Sequence, residues 1–248
     1  MSVDHKSRRI AVLGGAGGIG RELVLSLKVQ GHEVVVLDLA RSLERHAPPV
    51  PAFEIDVLSE SATQDTFAAL KNHWQSIDGF VNLAGYNASL QPLSQTPLSE
   101  FDDIGAGNLR GAFIAAKACL PMMSAGSAMV TVSSGLAQNI RPGYGAYAVA
   151  KAGLIALTKT LAVENAPHVR VNAVAPALVD TAFLRGGTGR SDEGDQAQIN
   201  MEAYRAAIPM KRLAEPKDIV GPIEFLLSDA SAYMTGQVLW INGGGYMP

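Results

Sequence analysis

Tyr147 and Lys151 stand four residues apart in a segment, Tyr147 to Thr158, whose composition is that of a helix, so a phenol and an ammonium project from one face of it. A free tyrosine titrates near pH 10. A phenol that is to act as a base near neutrality must lose about three units of that, roughly 4 kcal/mol of preference for the phenolate. A cation one helical turn away supplies part of this, and a hydroxyl such as Ser134, thirteen residues before the tyrosine, can hold a substrate oxygen in place. Those side chains could therefore move a proton to or from an oxygen. Tyr-x-x-x-Lys alone is common in helices, where it usually means an amphipathic tyrosine beside a solvated lysine. The elements around the pair have to carry the argument.

The first such element is a β-rich run, Ile10 to Leu13, that leads into Gly14-Gly15-Ala16-Gly17-Gly18-Ile19-Gly20 and then a helical stretch, Arg21 to Lys28. In a strand–turn–helix context, glycines let the backbone approach a pyrophosphate, whose charge is met by the N–H groups and positive end of the helix. Gly31 closes that helix, and Glu33 to Asp38 reads as a second strand ending in a carboxylate. Asp38 lies 18 residues beyond Gly20, near the spacing of an acid that accepts hydrogen bonds from an adenosine ribose. Such an acid repels a 2′-phosphate, which favours NAD over NADP. Arg41 could instead reach a phosphate, but reads more simply as a solvated surface residue.

Three prolines between Arg41 and Pro51 leave room for at most one or two helical turns. Phe53 to Val57 follows as a third strand, and Ser59 is placed to cap a helix from Glu60 to Trp74 with Phe67, Leu70 and Trp74 on its apolar face. His73 reads as a surface or rim residue. Gly79 to Gly85 is a fourth strand running into a turn, Leu98 to Met123 a long helical pattern containing Asn108, and Ala128 to Ser134 a fifth strand. Beyond the Tyr147 helix come a sixth strand, Val169 to Val174, a last helix, Pro216 to Leu227, and a last strand, Gly236 to Ile241. This alternation predicts one α/β domain over residues 1–248, a doubly wound parallel β-sheet flanked by helices, with ligands at the carboxyl ends of the strands. Gly14, Asp38, Asp56, Gly85, Ser134 and Pro176 all fall at or just past strand ends. Phe183 to Asn200 is polar and glycine-rich, unsuited to a core, and reads as a mobile lid over the site at about residues 183–206.

With 248 residues, 48% of them apolar, the chain can bury a sizeable core. A net charge of −3 and scattered basic residues give no field for nucleic acid or an anionic membrane. Cys119, the only cysteine, sits in an apolar run, Ala112 to Leu120, and is expected to be buried and inert. That usage suits a reducing, cytoplasmic setting. The basic residues Lys6, Arg8 and Arg9 precede an apolar run that stops after four residues, so no signal peptide is expected, and no segment is read as approaching membrane-spanning length. No metal site is expected either.

These ordered motifs together resemble the short-chain dehydrogenase/reductase family, in its short single-domain branch, over roughly residues 8–246. Gly14, Gly18 and Gly20 match its glycine turn, Asp56-Val57 its adenine-side dipeptide, and Asn82-Leu83-Ala84-Gly85 its Asn-Asn-Ala-Gly. Asn108, Ser134, Tyr147 and Lys151 match its catalytic positions. Asn172 to Pro176 with Thr181 is similar to its nicotinamide-side loop, and Arg212 to Pro216, Thr235 to Gln237 and Asn242 to Gly244 to its C-terminal signature. Three departures stand out. Leu13 replaces a threonine, Leu83 an asparagine and Ala177 a glycine, so at 13 and 83 only backbone groups can serve.

The resemblance implies a Rossmann-type fold and reversible hydride transfer between NAD(H) and a small secondary alcohol or ketone, with Asn108, Ser134, Tyr147 and Lys151 as the catalytic set. Tyr147 would exchange the proton, Ser134 would bind the same oxygen, Lys151 would lower the tyrosine pKa and hold the nicotinamide ribose, and Asn108 would position a water. The cofactor-binding residues it implies are Gly14, Gly17, Gly18, Ile19, Gly20, Asp38, Asp56, Val57, Leu83, Ala84, Gly85, Tyr147, Lys151, Pro176, Val179 and Thr181. It also implies a homo-oligomer, tetramer or dimer, packed through the helices of Asn108 and Tyr147. The alternatives are a 3-oxoacyl-carrier-protein reductase, which would prefer NADPH and a basic docking patch, and a non-catalytic dinucleotide-binding redox sensor. Tyr144, with Ala148 four residues on, lacks a cation and reads as a pocket wall. With Tyr86, Leu93, Leu136, Gln138, Leu178 and Phe183 it makes an expected lining that is mainly apolar and points to an uncharged, moderately hydrophobic substrate.

Overall fold

Runs of β-branched and aliphatic residues form the strands because alternate side chains can be buried on opposite faces of one sheet. The computed structural model describes residues 7–87, 90–185, 187, 190, 193 and 199–247. Its strands are β1 (Arg9–Leu13), β2 (Glu33–Asp38), β3 (Ala52–Glu54), β4 (Ile77–Asn82), β5 (Met123–Val132), β6 (Val169–Pro176) and β7 (Val238–Ile241). They pair in the order β3-β2-β1-β4-β5-β6-β7, all parallel. Along β1 and β2 the alternation is strict. Ala11, Leu13, Val35 and Leu37 enter one core, Ile10, Val12, Val34 and Val36 the other.

Helices cover both faces. The first core is closed by Phe67 and Leu70 of α3 (Glu60–His73), Ala115, Ala116 and Cys119 of α5 (Gly111–Cys119), and Leu161 and Ala162 of α6 (Gly145–Asn165). Leu23, Val24 and Leu27 of α1 (Gly18–Val29) and Ile219, Val220 and Ile223 of α8 (Pro216–Leu227) close the second. Between β2 and β3 there is room only for the six-residue α2 (Ala40–Arg45), as the prolines required. Ser59 caps α3, accepting a hydrogen bond from the Ala62 N–H at 3.2 Å. Strand order reverses between β1 and β4, and the crevice at their carboxyl ends is where an open parallel sheet binds ligands.

Three elements depart from the sequence reading. The helical pattern over residues 98–123 is broken into α4 (Leu98–Gly105), a π-helical turn (Ala106–Arg110), α5 and a short 3-10 turn, and Asn108 sits in the π turn. At 21 residues with mean hydropathy 1.3, α6 is long and apolar enough to span a membrane by length and composition, contrary to expectation. Its apolar side chains Leu154, Leu161 and Ala162 pack inside the fold, and it carries the buried Lys151. Of the expected lid, Ala182–Arg185 is a 3-10 turn and α7 (Met201–Ala207) is a helix capped by the Asn200 side chain. Residues 186, 188, 189, 191, 192 and 194–198 lie outside the described residues.

Candidate active site

The carboxyl ends of the strands open into one cavity of about 890 Å³. Its walls include Gly14, Gly17, Gly18, Ile19, Gly20, Asp38, Asp56, Val57, Leu83, Ala84, Gly85, Ser134, Tyr147, Lys151, Pro176, Val179 and Thr181. Of the residues singled out in the sequence for chemistry or cofactor, only Asn108 does not line it; Asn108 is fully buried behind Gly85.

Ser134 follows β5, and Tyr147 and Lys151 follow on the first turns of α6. Two bonds tie that helix to the strand end. The Lys151 ammonium donates to the Val132 carbonyl at 2.9 Å, and the Ser133 hydroxyl donates to the Lys151 carbonyl at 2.9 Å. Lys151 Nζ lies 5.5 Å from the centroid of the Tyr147 ring, and Phe183 packs on that ring with centroids 5.8 Å apart. Tyr147 and Lys151 are 7% and 3% exposed, so desolvation dominates both. Burial pushes the phenol above its ordinary pKa, and the hydrogen bond with the Ser134 hydroxyl is what draws it back. Burial lowers Lys151 to about 8. Burial thus favours the neutral form of both groups, and the Ser134 hydrogen bond acts against it at the phenol.

Asn108 is held by the π turn. An α-helix would bond the Ile104 carbonyl to the residue 108 N–H, whereas here the Asn108 side-chain Nδ2 donates to Ile104 O at 3.0 Å and to Tyr86 O at 2.8 Å. Its Oδ1 is buried with no hydrogen-bond partner among the described residues. Gly85 fills the space in front of it. A Cβ there would stand 2.5 Å from Asn108 Oδ1 and 3.1 Å from Lys151 Nζ, so only glycine lets the amide and the amine share this corner. An orphaned acceptor beside an amine is a place for a bridging water.

The fit of a dinucleotide is tested by the other end of the cavity. α1 begins at Gly18, with Gly17 at its N-cap offering no side-chain cap and no acid in its first turn, so its first N–H groups and positive end face the cavity unopposed. A Cβ at Gly18 would meet Thr181 Cγ2 at 2.6 Å, which leaves the turn bare where a pyrophosphate would lie. Asp38 accepts from the Ala16 N–H at 2.9 Å and the Leu39 N–H at 2.8 Å. Burial raises its pKa, opposed by these N–H groups and by the Ser42 hydroxyl. The residues present fit the group. At the departures, main chain does the work: the Leu83 N–H donates to the Leu13 carbonyl at 2.8 Å and the Ala177 N–H to the Ile241 carbonyl at 2.9 Å.

The other half of the cavity was read less well. Tyr86, Leu136, Tyr144, Leu178 and Phe183 line it as expected, whereas Leu93 and Gln138 do not. Leu93 packs at Gly145, where a Cβ would meet it at 2.8 Å. Arg141 and Tyr246 line it instead, with Arg185, Arg190 and Tyr204 from the segment read as a lid over the site. The Arg141-Pro142-Gly143 turn signal beside Ser134 was the available clue.

A family model described as enoyl-(acyl carrier protein) reductase matches residues 14–246. A short-chain type dehydrogenase/reductase of Sinorhizobium fredii is 35% identical over 96% of this chain, which spans 43% of that protein's length. Carbonyl reductase (NADPH) 2 of Sus scrofa is 34% identical, with 98% of each chain covered. Levodione reductase of Leifsonia aquatica is 31% identical over 96% of this chain and 93% of its own. A crystal structure of levodione reductase superposes with a TM-score of 0.86 at 27% identity, covering 96% of both chains.

Proposed function

This chain belongs to the short-chain dehydrogenase/reductase family, and on that premise we propose that it interconverts a ketone and a secondary alcohol with NAD(H). The observation that carries the reading is the convergence of Ser134, Tyr147 and Lys151 on the same cavity as the uncapped glycine turn. The dinucleotide, when bound, supplies or accepts the hydride. Ser134 binds the substrate oxygen and Tyr147, protonated by its burial, gives its Oη proton to that oxygen in reduction and takes it back in oxidation. Lys151, titrating at about 8, restores the phenolic proton, and Asn108 Oδ1 holds the water through which Lys151 communicates with solvent.

Gly14, Gly17, Gly18, Ile19 and Gly20 hold the pyrophosphate side, Asp38, Asp56 and Val57 the adenosine side, and Leu83, Ala84, Gly85, Pro176, Val179 and Thr181 the nicotinamide side. The half-buried Asp38 carboxylate at the end of β2 favours NAD, since a 2′-phosphate there would face a negative charge. A carrier-protein reductase would share this chemistry but prefer NADPH, and a pure sensor would not need the buried amine beside the phenol. We place the enzyme in the cytoplasm, on its single buried thiol, and as a homo-oligomer of one-domain subunits, since Phe113 of α5 and Val149 of α6 stand about half exposed. A panel of ketones and secondary alcohols, assayed by absorbance of reduced nicotinamide with NAD(H) and NADP(H) in turn, tests the proposal. Turnover with NAD(H) favoured is expected, and no turnover of any member with either dinucleotide would refute it.

A further inference from the structure

Charge is divided unevenly around the cavity. Its carboxylates, Asp38 and Asp56, lie at β2 and just past β3, whereas the wall beyond Tyr147 carries Arg141, Arg185 and Arg190 and, among the described residues, no acid. Two of these arginines are engaged. Arg190 pairs with Asp103 at 3.2 Å and stacks 3.6 Å from the centroid of the Tyr86 ring, and Arg185 donates to the Thr181 carbonyl at 3.2 Å. The guanidinium of Arg141 makes no hydrogen bond or ion pair with a described residue.

The backbone of Arg141 is nevertheless held in place, with the side chain exposed to the cavity side of the turn. In Arg141-Pro142-Gly143-Tyr144 the proline fixes its own φ, Gly143 has φ +90°, and the Tyr144 N–H donates to the Arg141 carbonyl at 3.4 Å, which fits a type II turn. The Gln91 N–H donates to the Gly143 carbonyl at 3.3 Å and ties the turn to a second segment. Tyr144 is the N-cap of α6, whose third residue is Tyr147, so the cation and the proton donor share one rigid base. Tyr204 lines the same wall near Tyr144. Its oxygen accepts from the Leu178 N–H at 3.2 Å, which leaves its own O–H to donate elsewhere. An exposed guanidinium with no partner among the described residues, carried on a fixed turn in a wall that holds no carboxylate and shares the Tyr204 O–H donor, is complementary to an oxyanion.

We propose that the substrate carries an anionic oxygen group, a carboxylate or a phosphate, in addition to the reacting carbonyl, and that Arg141 is the specificity-determining residue that receives it. This rests on the reading of the site as a ketone/alcohol oxidoreductase and replaces the uncharged ligand expected from the sequence. The balance of the reaction is unaltered: the carbonyl carbon gains a hydride from the reduced nicotinamide dinucleotide and its oxygen gains the Tyr147 proton.

Matched pairs test it, with reduced NAD and NADP each as donor: 3-oxobutanoate and 4-oxopentanoate beside their methyl esters, and acetonyl phosphate beside hydroxyacetone. The anionic member of at least one pair is expected to have a kcat/KM about tenfold or more above its neutral partner, mainly through KM. Arg141→Met should lower that ratio about tenfold, Arg141→Lys should retain most of it, and added salt should reduce it. The pair with the larger ratio identifies the group as carboxylate or phosphate. A neutral member that equals or exceeds its anion in every pair, or a ratio that survives Arg141→Met, overturns the inference and leaves the oxidoreductase reading standing. No turnover of either set, with either dinucleotide, removes both.

Discussion

The cavity has two walls of different construction. Beyond β1 and β4 it is mostly main chain and small residues, Gly14, Gly17, Gly18, Gly20, Ala84 and Gly85, with α1 presenting uncapped N–H groups. Beyond β5 and β6 it is side chain: Ser134, Arg141, Tyr144, Tyr147, Phe183 and Tyr204, drawn from a strand end, a turn, two helices and the segment after β6. The first wall offers shape and backbone donors, and a Cβ at Gly14, Gly18, Gly20 or Gly85 would crowd it. The second offers ionisable groups whose behaviour depends on how much water each has lost. One wall suits a ligand that is the same in many reactions, and the other suits a substrate that differs between them.

Lys151 stands at the seam, and its replacement should have the largest effect. Lys151→Met is expected to lower kcat for reduction about a thousandfold. Because burial depresses Lys151 to about 8, the ammonium is present below that pH and lost above it, so the wild-type rate should decline as pH rises through 8. Rate–pH profiles of the two proteins check this, and the variant should lack that limb. On the main-chain wall, Gly18→Ala places a Cβ 2.6 Å from Thr181 Cγ2, an overpacking that should weaken dinucleotide binding about tenfold in a fluorescence titration while the protein stays folded. Asp38→Ala combined with Leu39→Arg should move the NAD-to-NADP preference roughly tenfold toward NADP, read as the ratio of kcat/KM values. An unmoved ratio would mean that Asp38 does not face the ribose. The smallest change lies away from both walls. Ser59→Ala removes the cap of α3 and should cost about 1 kcal/mol in urea unfolding without altering either dinucleotide affinity or kcat.

The main-chain wall was also the legible one. Glycines between a strand and a helix, an acid at the end of β2, and Ser59 ahead of α3 are local signals, because each rests on the conformation of a few consecutive residues. β2 and α8 have the bounds the sequence suggested, Glu33–Asp38 and Pro216–Leu227. The π turn at Asn108 was not legible, since one extra residue per turn barely disturbs the apolar pattern of residues 98–123. Nor was the raised pKa of Tyr147, which depends on desolvation by neighbours from several elements. Arg141 escaped notice because charge on a loop reads as solvated until the fold shows what it faces, and Leu93 and Gln138 do not line the wall although Leu90, Leu136 and Asn139 from the same loops do.

The account depends most on Tyr147 as the group that moves the proton. Replacing it with phenylalanine keeps the ring that packs on Phe183 and removes only the Oη–H. With kcat for ketone reduction and dinucleotide Kd measured on the same preparation, Tyr147→Phe should lose about a thousandfold or more in kcat while Kd stays within about threefold of wild type. A variant that turns over within about tenfold of wild type would contradict the assignment.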